Sequence, residues 1–460
     1  MRNKIKKYFH RRIIWITIIF SFFNTSCKKD WLEAKSDITL TIPTTIKDMQ
    51  ALLDNTSVIN VGGQTLGEIG SDNIYLTSSA WTSLVSSTER LAFVWDNDIY
   101  QQSQALASWN DTYKRIYYCN TVLENISKIE ASTYNIHSVR NIQGSALFYR
   151  AFAFYDIVSI FAPLYDATTA GNNMGIPLRL SSDFNVQSVR SSVTATYGQI
   201  LNDLYLAKEL LPEIPLYKTH PSKPAVYGML ARVFLSMQEY DTAKLYADSC
   251  LRLNNSLMNF NSLTATSAEP IPAFNLETIY FNGMATAGSL RNSNVDTTLY
   301  RMYTNDDLRK NVFFSGALPV VKFKGTYTQR LTVQFNGLAT DELYLIRAEC
   351  LARVGNKNDA MDDLNKLLQS RWKTGTFIPY TATDADDALR QILTERRKEL
   401  LYRGLRWTDL RRLNKDPRFA VTLTRNVNNT VYSLPPNDLR YVQLFPPDVI
   451  QYSGMEQNPR

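Results

Sequence analysis

Histidine is scarce in this chain of 460 residues, which contains three in all. His10 lies in the first 26 residues, and the other two are His137 and His220. Neither of these has a Cys, His or carboxylate at metal-ligand spacing. The sequence therefore predicts neither a zinc site nor a histidine-based catalytic triad, and no metal or cofactor is expected.

Cysteine is also rare, with four residues. Three of them, Cys119, Cys250 and Cys350, are scattered over apolar helical patterns, and three is an odd number. A disulfide framework is therefore disfavoured, and the pattern predicts buried free thiols.

Acidic residues are absent before Cys27, whereas six Lys and Arg residues fall there. The basic head is followed by an apolar run of eleven residues, Ile13–Phe23, and then by Asn24, Thr25 and Ser26. Eleven helical residues rise roughly 16 Å, about half of a ~30 Å hydrocarbon core. The pattern predicts a secretory signal over residues 1–26, with Cys27 at the cleavage point as in a bacterial lipoprotein, where the thiol is lipidated. The alternative is an uncleaved anchor in which Cys27 is an ordinary residue.

The basic charge of the chain resides in this segment. The formal net charge is +7, and removing residues 1–26 leaves forty-four basic residues against forty-three acidic ones. A nucleic-acid-binding protein would carry a surplus of cations to displace counterions from phosphates, so that class is excluded.

Beyond the predicted signal, helical patterns alternate with irregular stretches. Residues 27–42 have little periodicity and are predicted to form a lipidated tether, followed by a single helical domain over residues 43–460. Within this domain, two segments, about residues 60–108 and 254–340, are predicted to be irregular inserts. The predicted helices begin at Pro43 and cover Trp109–Ile129, Ser138–Phe161 and Thr194–Leu211.

Two segments resemble each other as helical hairpins. Ala231 and Ala243 are separated by the same interval as Ala348 and Ala360, and each pair brackets a short polar turn. Small residues at these points let paired helices approach closely, which is typical of tetratricopeptide units. The alternative is two unrelated hairpins. The fold prediction is a mainly α, tetratricopeptide-like superhelix of hairpins with long irregular inserts and a few short strands.

Glu395–Arg412 combines dense charge with an apolar stripe. The pattern predicts a long amphipathic helix, a bend at Gly404 and a short second helix. Leu389, Ile392, Leu393, Leu400 and Trp407 are expected to face inward, with the structural charges facing outward. Trp109, Trp372 and Trp407 lie on helical patterns and are predicted to be core residues.

The same segment reads E-R-x-x-E-L-x-x-x-G-x-R-W-x-D-L-x-R, which resembles the signature of the SusD/RagB outer-membrane lipoproteins. Further segments of the chain resemble other motifs of that family, in the family's order: Pro43–Asn55, Arg150–Asp156, Leu343–Glu349, Leu444–Pro446 and Met455–Pro459. The likeness extends from Cys27 to the C-terminus.

The resemblance implies a ligand-binding lipoprotein without catalytic activity, exposed on the surface of the outer membrane. Such proteins close over a SusC-type TonB-dependent barrel, which imports the captured ligand, usually an oligosaccharide and sometimes a peptide. The resemblance implies three partners: the barrel, the ligand, and the membrane, to which a lipid on Cys27 would attach the protein. Nucleic acid is not expected as a partner.

Ligand contacts are expected on the irregular inserts, because flat rings match the CH faces of sugars and polar side chains match their hydroxyl groups. The candidates in the first insert are Asp72, Asn73, Tyr75, Trp81, Arg90 and Trp95. Those in the second are Tyr300, Tyr303, Asn305 and Arg309. Trp81 has small, mostly polar neighbours, which favours ligand contact. Trp95, beside Phe93 and Val94, fits a core position equally well.

Two other classes of protein are considered. A lipid-anchored glycoside hydrolase would need two carboxylates facing each other across a cleft, and no motif places such a pair. A scaffold protein would instead use its helical surface to hold another protein, independently of the insert aromatics.

Overall fold

The computed structural model describes residues 43–101 and 105–460. The predicted signal over residues 1–26, the lipidation site Cys27 and the tether over residues 27–42 lie outside the described residues. Thr44–Arg460 pack together as one compact unit. Across the described residues we find no helix with the length and apolar character that crossing a membrane requires.

Long helices form the frame of the molecule. They are α1 Ile46–Leu53, α6 Ala107–Ile126, α7 Ile136–Phe161, α8 Val193–Leu210, α9 Lys223–Ser236, α10 Tyr240–Leu253, α14 Thr340–Arg353, α15 Lys357–Gln369, α16 Ala385–Glu399 and α17 Arg406–Leu413. The short helices are α2 Thr56–Ile59, α3 Thr65–Gly70, α4 Ser78–Thr82, α5 Ser87–Phe93, α11 Gly288–Asn292, α12 Thr297–Arg301, α13 Arg309–Val312 and α18 Pro447–Ser453.

The strands are short and pair two by two. They are β1 Val61–Gly62, β2 Ile74–Tyr75, β3 Met174–Pro177, β4 Arg190–Ser192, β5 Thr278–Tyr280, β6 Gly283–Met284, β7 Asn294–Val295, β8 Phe314–Ala317, β9 Val320–Phe323, β10 Leu338–Ala339, β11 Leu423–Val427 and β12 Thr430–Leu434. β1 pairs with β6 in parallel. The pairs β2–β7, β3–β4, β5–β10, β8–β9 and β11–β12 are antiparallel.

Local signals explain the helix boundaries. Asp48 N–H donates to Thr45 Oγ1 at 3.1 Å, and Thr45 N–H donates to Asp48 Oδ2 at 3.0 Å. This reciprocal pair is a capping box that begins α1, two residues after Pro43. Helix α7 is distinguished by its burial. Every residue from Gly144 to Phe161 is buried, so this helix runs through the middle of the core.

The predicted helical hairpins are confirmed as α9–α10 and α14–α15, whose helices pack against each other. Ala231, Ala243, Ala348 and Ala360 are all fully buried where the paired helices meet. The turns are equivalent as well, because Gln238 and Gly355 occupy the same position and both have positive φ, +65° and +83°. The mainly α, tetratricopeptide-like fold class is confirmed.

The inserts contain more helix than the irregular pattern predicted. Residues 60–108 hold the three short helices α3 to α5, of five to seven residues each. Helices this short contribute too few turns to show a sustained periodicity in the sequence.

The prediction of buried thiols is confirmed, since Cys119, Cys250 and Cys350 are buried and free. Trp109, Trp372 and Trp407 are buried as predicted.

The prediction that the charges of Glu395–Arg412 face outward was wrong. The apolar stripe of α16 does face inward, but most of the charged side chains in this segment are buried too. Those less than a tenth exposed are Glu395, Arg396, Lys398, Glu399, Arg403, Asp409, Arg411 and Arg412. Most of them pair with opposite charges on distant segments: Arg412 contacts Glu349 at 2.7 Å and Arg403 contacts Asp341 at 2.8 Å. Buried charges are tolerated because they are paired in this way.

Candidate functional site

The two inserts meet where β2 pairs with β7, with Tyr75 opposite Asn294. Beside this pair lies a groove of about 640 Å³, a size typical of ligand sites. We call it the insert groove. It is lined by Asp72, Ile74, Tyr75, Leu76, Phe93, Trp95, Asp296, Thr297, Thr298, Pro319, Arg397 and residues 421–427. Three of the ten predicted contact residues, Asp72, Tyr75 and Trp95, are therefore brought together.

The floor of the groove is built around the buried side chain of Arg425 on β11. Its guanidinium carbon lies 3.7 Å from the centroid of the Phe93 ring and 4.5 Å from that of Trp95. Its N–H groups donate to the carbonyls of Ile69 at 3.0 Å and Ser71 at 2.5 Å. Trp95 Nε1 donates to the Gly70 carbonyl at 2.9 Å, and the residue is 3% exposed. Trp95 therefore occupies the core position that its apolar neighbours allowed.

One wall of the groove is held by ion pairs around Asp72. Arg406 binds its two carboxylate oxygens at 2.7 and 2.9 Å, and Arg397 reaches Oδ2 at 3.2 Å. Burial alone would raise the pKa of Asp72, but the guanidinium groups of Arg406 and Arg397 outweigh it and hold this pKa below its ordinary value. Asp72 is thus an ionised anchor for the wall.

The upper part of the groove carries the groups that a ligand can reach. The half-buried ring of Tyr75 is oriented by its hydroxyl group, which donates to the Pro319 carbonyl. Opposite β2, Asp296 caps α12 by accepting from Leu299 N at 2.8 Å. The remaining polar groups are the exposed or half-buried side chains of Thr297, Thr298, Thr422, Thr424 and Asn426.

Trp81 and Arg90 lie together on α4 and α5, away from the residues that line the groove. Trp81 Nε1 donates to the Arg90 carbonyl at 2.9 Å, and the ring is half-buried. The Arg90 guanidinium donates to the Leu84 carbonyl. The pair ties the two short helices together.

Asn73 is 1% exposed and holds the wall from behind. Its amide donates to Glu68 Oε1 at 3.2 Å and accepts from Arg397 Nε at 3.3 Å. Its contacts serve the frame of the groove.

The four candidates of the second insert lie outside the groove. Asn305 is exposed and accepts from Lys310 Nζ at 2.9 Å. The same ammonium group lies 5.8 Å from the centroid of the half-buried Tyr300 ring. Tyr303 is 1% exposed and donates to the Lys398 carbonyl at 2.7 Å.

Arg309 is fully buried and serves the core. It contacts Asp307 at 2.7 Å, Glu395 at 2.6 Å and Glu399 at 2.9 Å. A single guanidinium thus pairs with three buried carboxylates, two of them on α16. Lys398 and Arg371 supply further positive charge to the same carboxylates. The side chains of Arg309 and Tyr303 offer almost no surface to a ligand.

Sequence reasoning missed several groove residues, namely Asp296, Thr297, Thr298, Arg397, Thr424 and Asn426. The signal available for Asp296 was its place as a helix cap before a Thr-Thr pair, which indicates a short helix beginning. Arg397 lies in Glu395–Arg412, the segment whose charged side chains the sequence pattern predicted to face solvent. Within the described residues no cluster of three or more His, Cys, Asp or Glu side chains is arranged to hold a metal ion.

The fold is a frame of tetratricopeptide-like helical hairpins with a polar groove where the two inserts meet. Comparison with known proteins identifies the family to which the chain belongs. A family model described as "Starch-binding associating with outer membrane" matches residues 30–235, and the SusD family model matches residues 236–453. The chain belongs to the SusD/RagB family.

Individual relatives are distant in sequence. "SusD-like protein P2" of Formosa agariphila is 22% identical over 373 residues, which is 67% of this chain and 71% of that protein. The crystal structure of a SusD superfamily protein from Bacteroides thetaiotaomicron has a TM-score of 0.73 at 17% identity, covering 90% of this chain and 100% of that one. "Surface glycan-binding protein A" from Bacteroides fluxus has a TM-score of 0.69 at 16% identity, covering 91% and 100%. These structures share the fold of this chain.

Proposed function

We propose that this chain is a cell-surface lipoprotein that captures an oligosaccharide in the insert groove for import by a TonB-dependent outer-membrane barrel. The observation that carries the proposal is the composition of the groove. It offers one oriented ring, Tyr75, beside hydroxyl, amide and carboxylate groups on α12 and β11. A sugar presents a CH face to the first and hydroxyl groups to the others.

Membership of the SusD/RagB family supports this proposal. One structural neighbour is named as a surface glycan-binding protein. The lipid anchor on Cys27 and the barrel partner follow from the family likeness and belong to the proposal.

The protein is proposed to bind its ligand without chemical change. A glycoside hydrolase needs a carboxylic acid with a raised pKa beside a second carboxylate. In the groove, Asp72 is held ionised by two arginines and has a lowered pKa. The glutamates whose pKa is raised to about 7, Glu68 and Glu277, are fully buried and do not line the groove.

The test is isothermal titration of the full-length protein in detergent against a panel of neutral oligosaccharides and against peptides. Tyr75→Ala removes the ring and should weaken the affinity for the bound glycan at least about tenfold, the equivalent of about 1.4 kcal/mol. Tyr75→Phe keeps the ring and should retain most of the affinity.

Tyr134→Ala is the matched control, because Tyr134 is 99% exposed and does not line the insert groove. Circular dichroism checks that each variant is folded. An unchanged affinity in Tyr75→Ala, binding of peptides alone, or release of shortened sugars during incubation would each contradict the proposal.

A further inference from the structure

A second cleft is lined by one face of α6. Trp109, Tyr113 and Tyr117 are spaced four residues apart, which places their rings on the same side of the helix. Their rings face a cleft of about 480 Å³. The segment 177–188 forms the opposite wall, and α18 with the residues that follow it closes one side. We call it the α6 cleft. It shares no lining residue with the insert groove.

Two large rings at the α6 cleft are left open to solvent. Phe184 is 72% exposed and stacks on Tyr117, with ring centroids 4.9 Å apart and planes inclined by 28°. Tyr452 on α18 is 85% exposed. Aromatic side chains that line a concave surface and keep most of their area exposed indicate a contact surface for a ligand. Single apolar residues scattered over a surface carry no such indication.

The wall opposite α6 is fixed by hydrogen bonds. Ser181 Oγ and Ser182 N donate to Glu124 Oε1 at 2.9 and 2.8 Å. The Asn120 amide donates to the Arg179 carbonyl at 2.9 Å and to the Ser181 carbonyl at 3.3 Å. The cleft is therefore formed before any ligand binds, which lowers the entropic cost of binding.

Arg179 is the one cation among the described residues that line the cleft. The Arg179 guanidinium is occupied by the carbonyls of Asp183 and Val186 and by Ser188. The lining residues that remain at its mouth are amides, a hydroxyl group and one carboxylate: Asn185, Gln187, Ser453 and Asp448. The guanidinium keeps its positive charge, but these contacts hold it within the wall and the Asp448 carboxylate also lines the cleft, so the cleft does not select for an anionic ligand.

The backbone of the wall is also occupied. Side chains already donate to the carbonyls of Pro177, Arg179, Ser181, Asp183 and Val186. A peptide that adds as a strand requires free carbonyl and amide groups along an edge. The wall therefore disfavours peptides bound in that way, while its rings and polar rim suit a sugar.

We propose that the α6 cleft is a second binding site for a neutral oligosaccharide, separate from the insert groove. This inference depends on the proposed function only for the class of ligand. With two sites on one chain, a polysaccharide long enough to reach both is held by two contacts. The second contact forms within one complex and raises the overall affinity without any new interaction.

The experiment compares variants of the full-length protein by affinity electrophoresis through gels that contain a neutral polysaccharide. The double variant Phe184→Ala/Tyr452→Ala removes both exposed rings, and Tyr75→Ala removes the ring of the insert groove. Each should reduce retention at least about tenfold, and the triple variant should abolish it. Tyr134→Ala should behave as the unaltered protein.

Hydrogen–deuterium exchange with an oligosaccharide from the same polysaccharide provides the second readout. Protection of residues 179–188 and 447–455, lost in the double variant, would support the second site. Retention unchanged in the double variant, protection restricted to the insert groove, or protection by peptides alone would overturn it. If Tyr75→Ala is without effect while the double variant loses all retention, the proposed groove fails and the α6 cleft stands.

Discussion

Two equally buried glutamates should respond in opposite directions to the same substitution. Glu349 and Glu68 are both 0% exposed. Glu349 accepts hydrogen bonds from Arg412 at 2.7 Å and Arg353 at 2.9 Å, whereas the partners of Glu68 are the Asn73 amide at 3.2 Å and the Gly404 N–H at 3.0 Å. One carboxylate is surrounded by cations, and the other accepts from neutral donors.

The pKa values express this difference. Burial would raise the pKa of Glu349, but Arg412 and then Arg353 lower it from 4.5 to about 2. Burial raises the pKa of Glu68 from 4.5 to about 7, against the smaller effect of its hydrogen bonds. Because a tenfold change in acidity corresponds to 1.36 kcal/mol, each shift is linked to about 3 kcal/mol of folding free energy.

The signs follow from linkage. A lowered pKa stabilises the fold at pH values above 4.5, and this contribution is lost as the pH falls from 4.5 through 2. A raised pKa destabilises the fold above pH 7, and this cost disappears as the pH falls from 7 to 4.5. At pH 8, Glu349→Gln should therefore lose about 3 kcal/mol of stability, and Glu68→Gln should gain up to about 3 kcal/mol.

Urea unfolding followed by circular dichroism at pH 8 and pH 4.5 measures both effects. At pH 4.5 the gain of Glu68→Gln should have vanished, while most of the loss of Glu349→Gln should remain. A shift of stability in the same direction for both variants at pH 8, or an effect of Glu68→Gln that is independent of pH, would contradict the opposite pKa shifts of the two glutamates.

Two further predictions concern the repeat turns and the anchor. Gln238 and Gly355 have positive φ at equivalent turns, so Gln238→Gly should stabilise the protein by about 1 kcal/mol and Gly355→Gln should destabilise it by about 1 kcal/mol. Urea unfolding checks the pair, and equal signs would contradict it. Cys27→Ala should release a folded protein from the membrane fraction with its glycan affinity intact, as fractionation and titration would show, and normal ligand uptake by the released form would count against the anchor.

The frame of the molecule could be predicted because its signals are local. The apolar stripe of α16 and the paired alanines of each hairpin recur within a few turns of helix, so the sequence shows them directly. The buried charges could not be placed in this way. Glu395 and Glu399 share the guanidinium of Arg309, which lies 86 and 90 residues away. Helical periodicity cannot distinguish a charged face that meets water from one that meets distant partners of opposite charge.

The position of the candidate groove could be predicted as a region of the chain, but its lining could not be predicted residue by residue. The inserts do form a groove, yet the exposure of each ring in it is decided by long-range packing. Trp95 is covered because Arg425, from β11, lies against it and against Phe93. The exposed rings of Phe184 and Tyr452 lie on segments outside the inserts, where the sequence predicted no ligand contacts.

If the insert groove binds the ligand as proposed, stability and ligand preference are assigned to different residues of the groove. Arg406 and Arg397, from the signature segment, bind Asp72 and so fix the chain three residues before Tyr75. This position is set by buried or half-buried ion pairs, and removing either partner leaves an uncompensated charge. By contrast, Thr298 and Asn426 are exposed at the groove. Their substitution leaves the ion pairs intact and changes only the hydrogen-bonding groups that a sugar would meet. On the proposed function, a common frame can therefore present different ligand chemistries, because the signature segment fixes the wall of the groove and the exposed residues of α12 and β11 supply the groups that a ligand would meet.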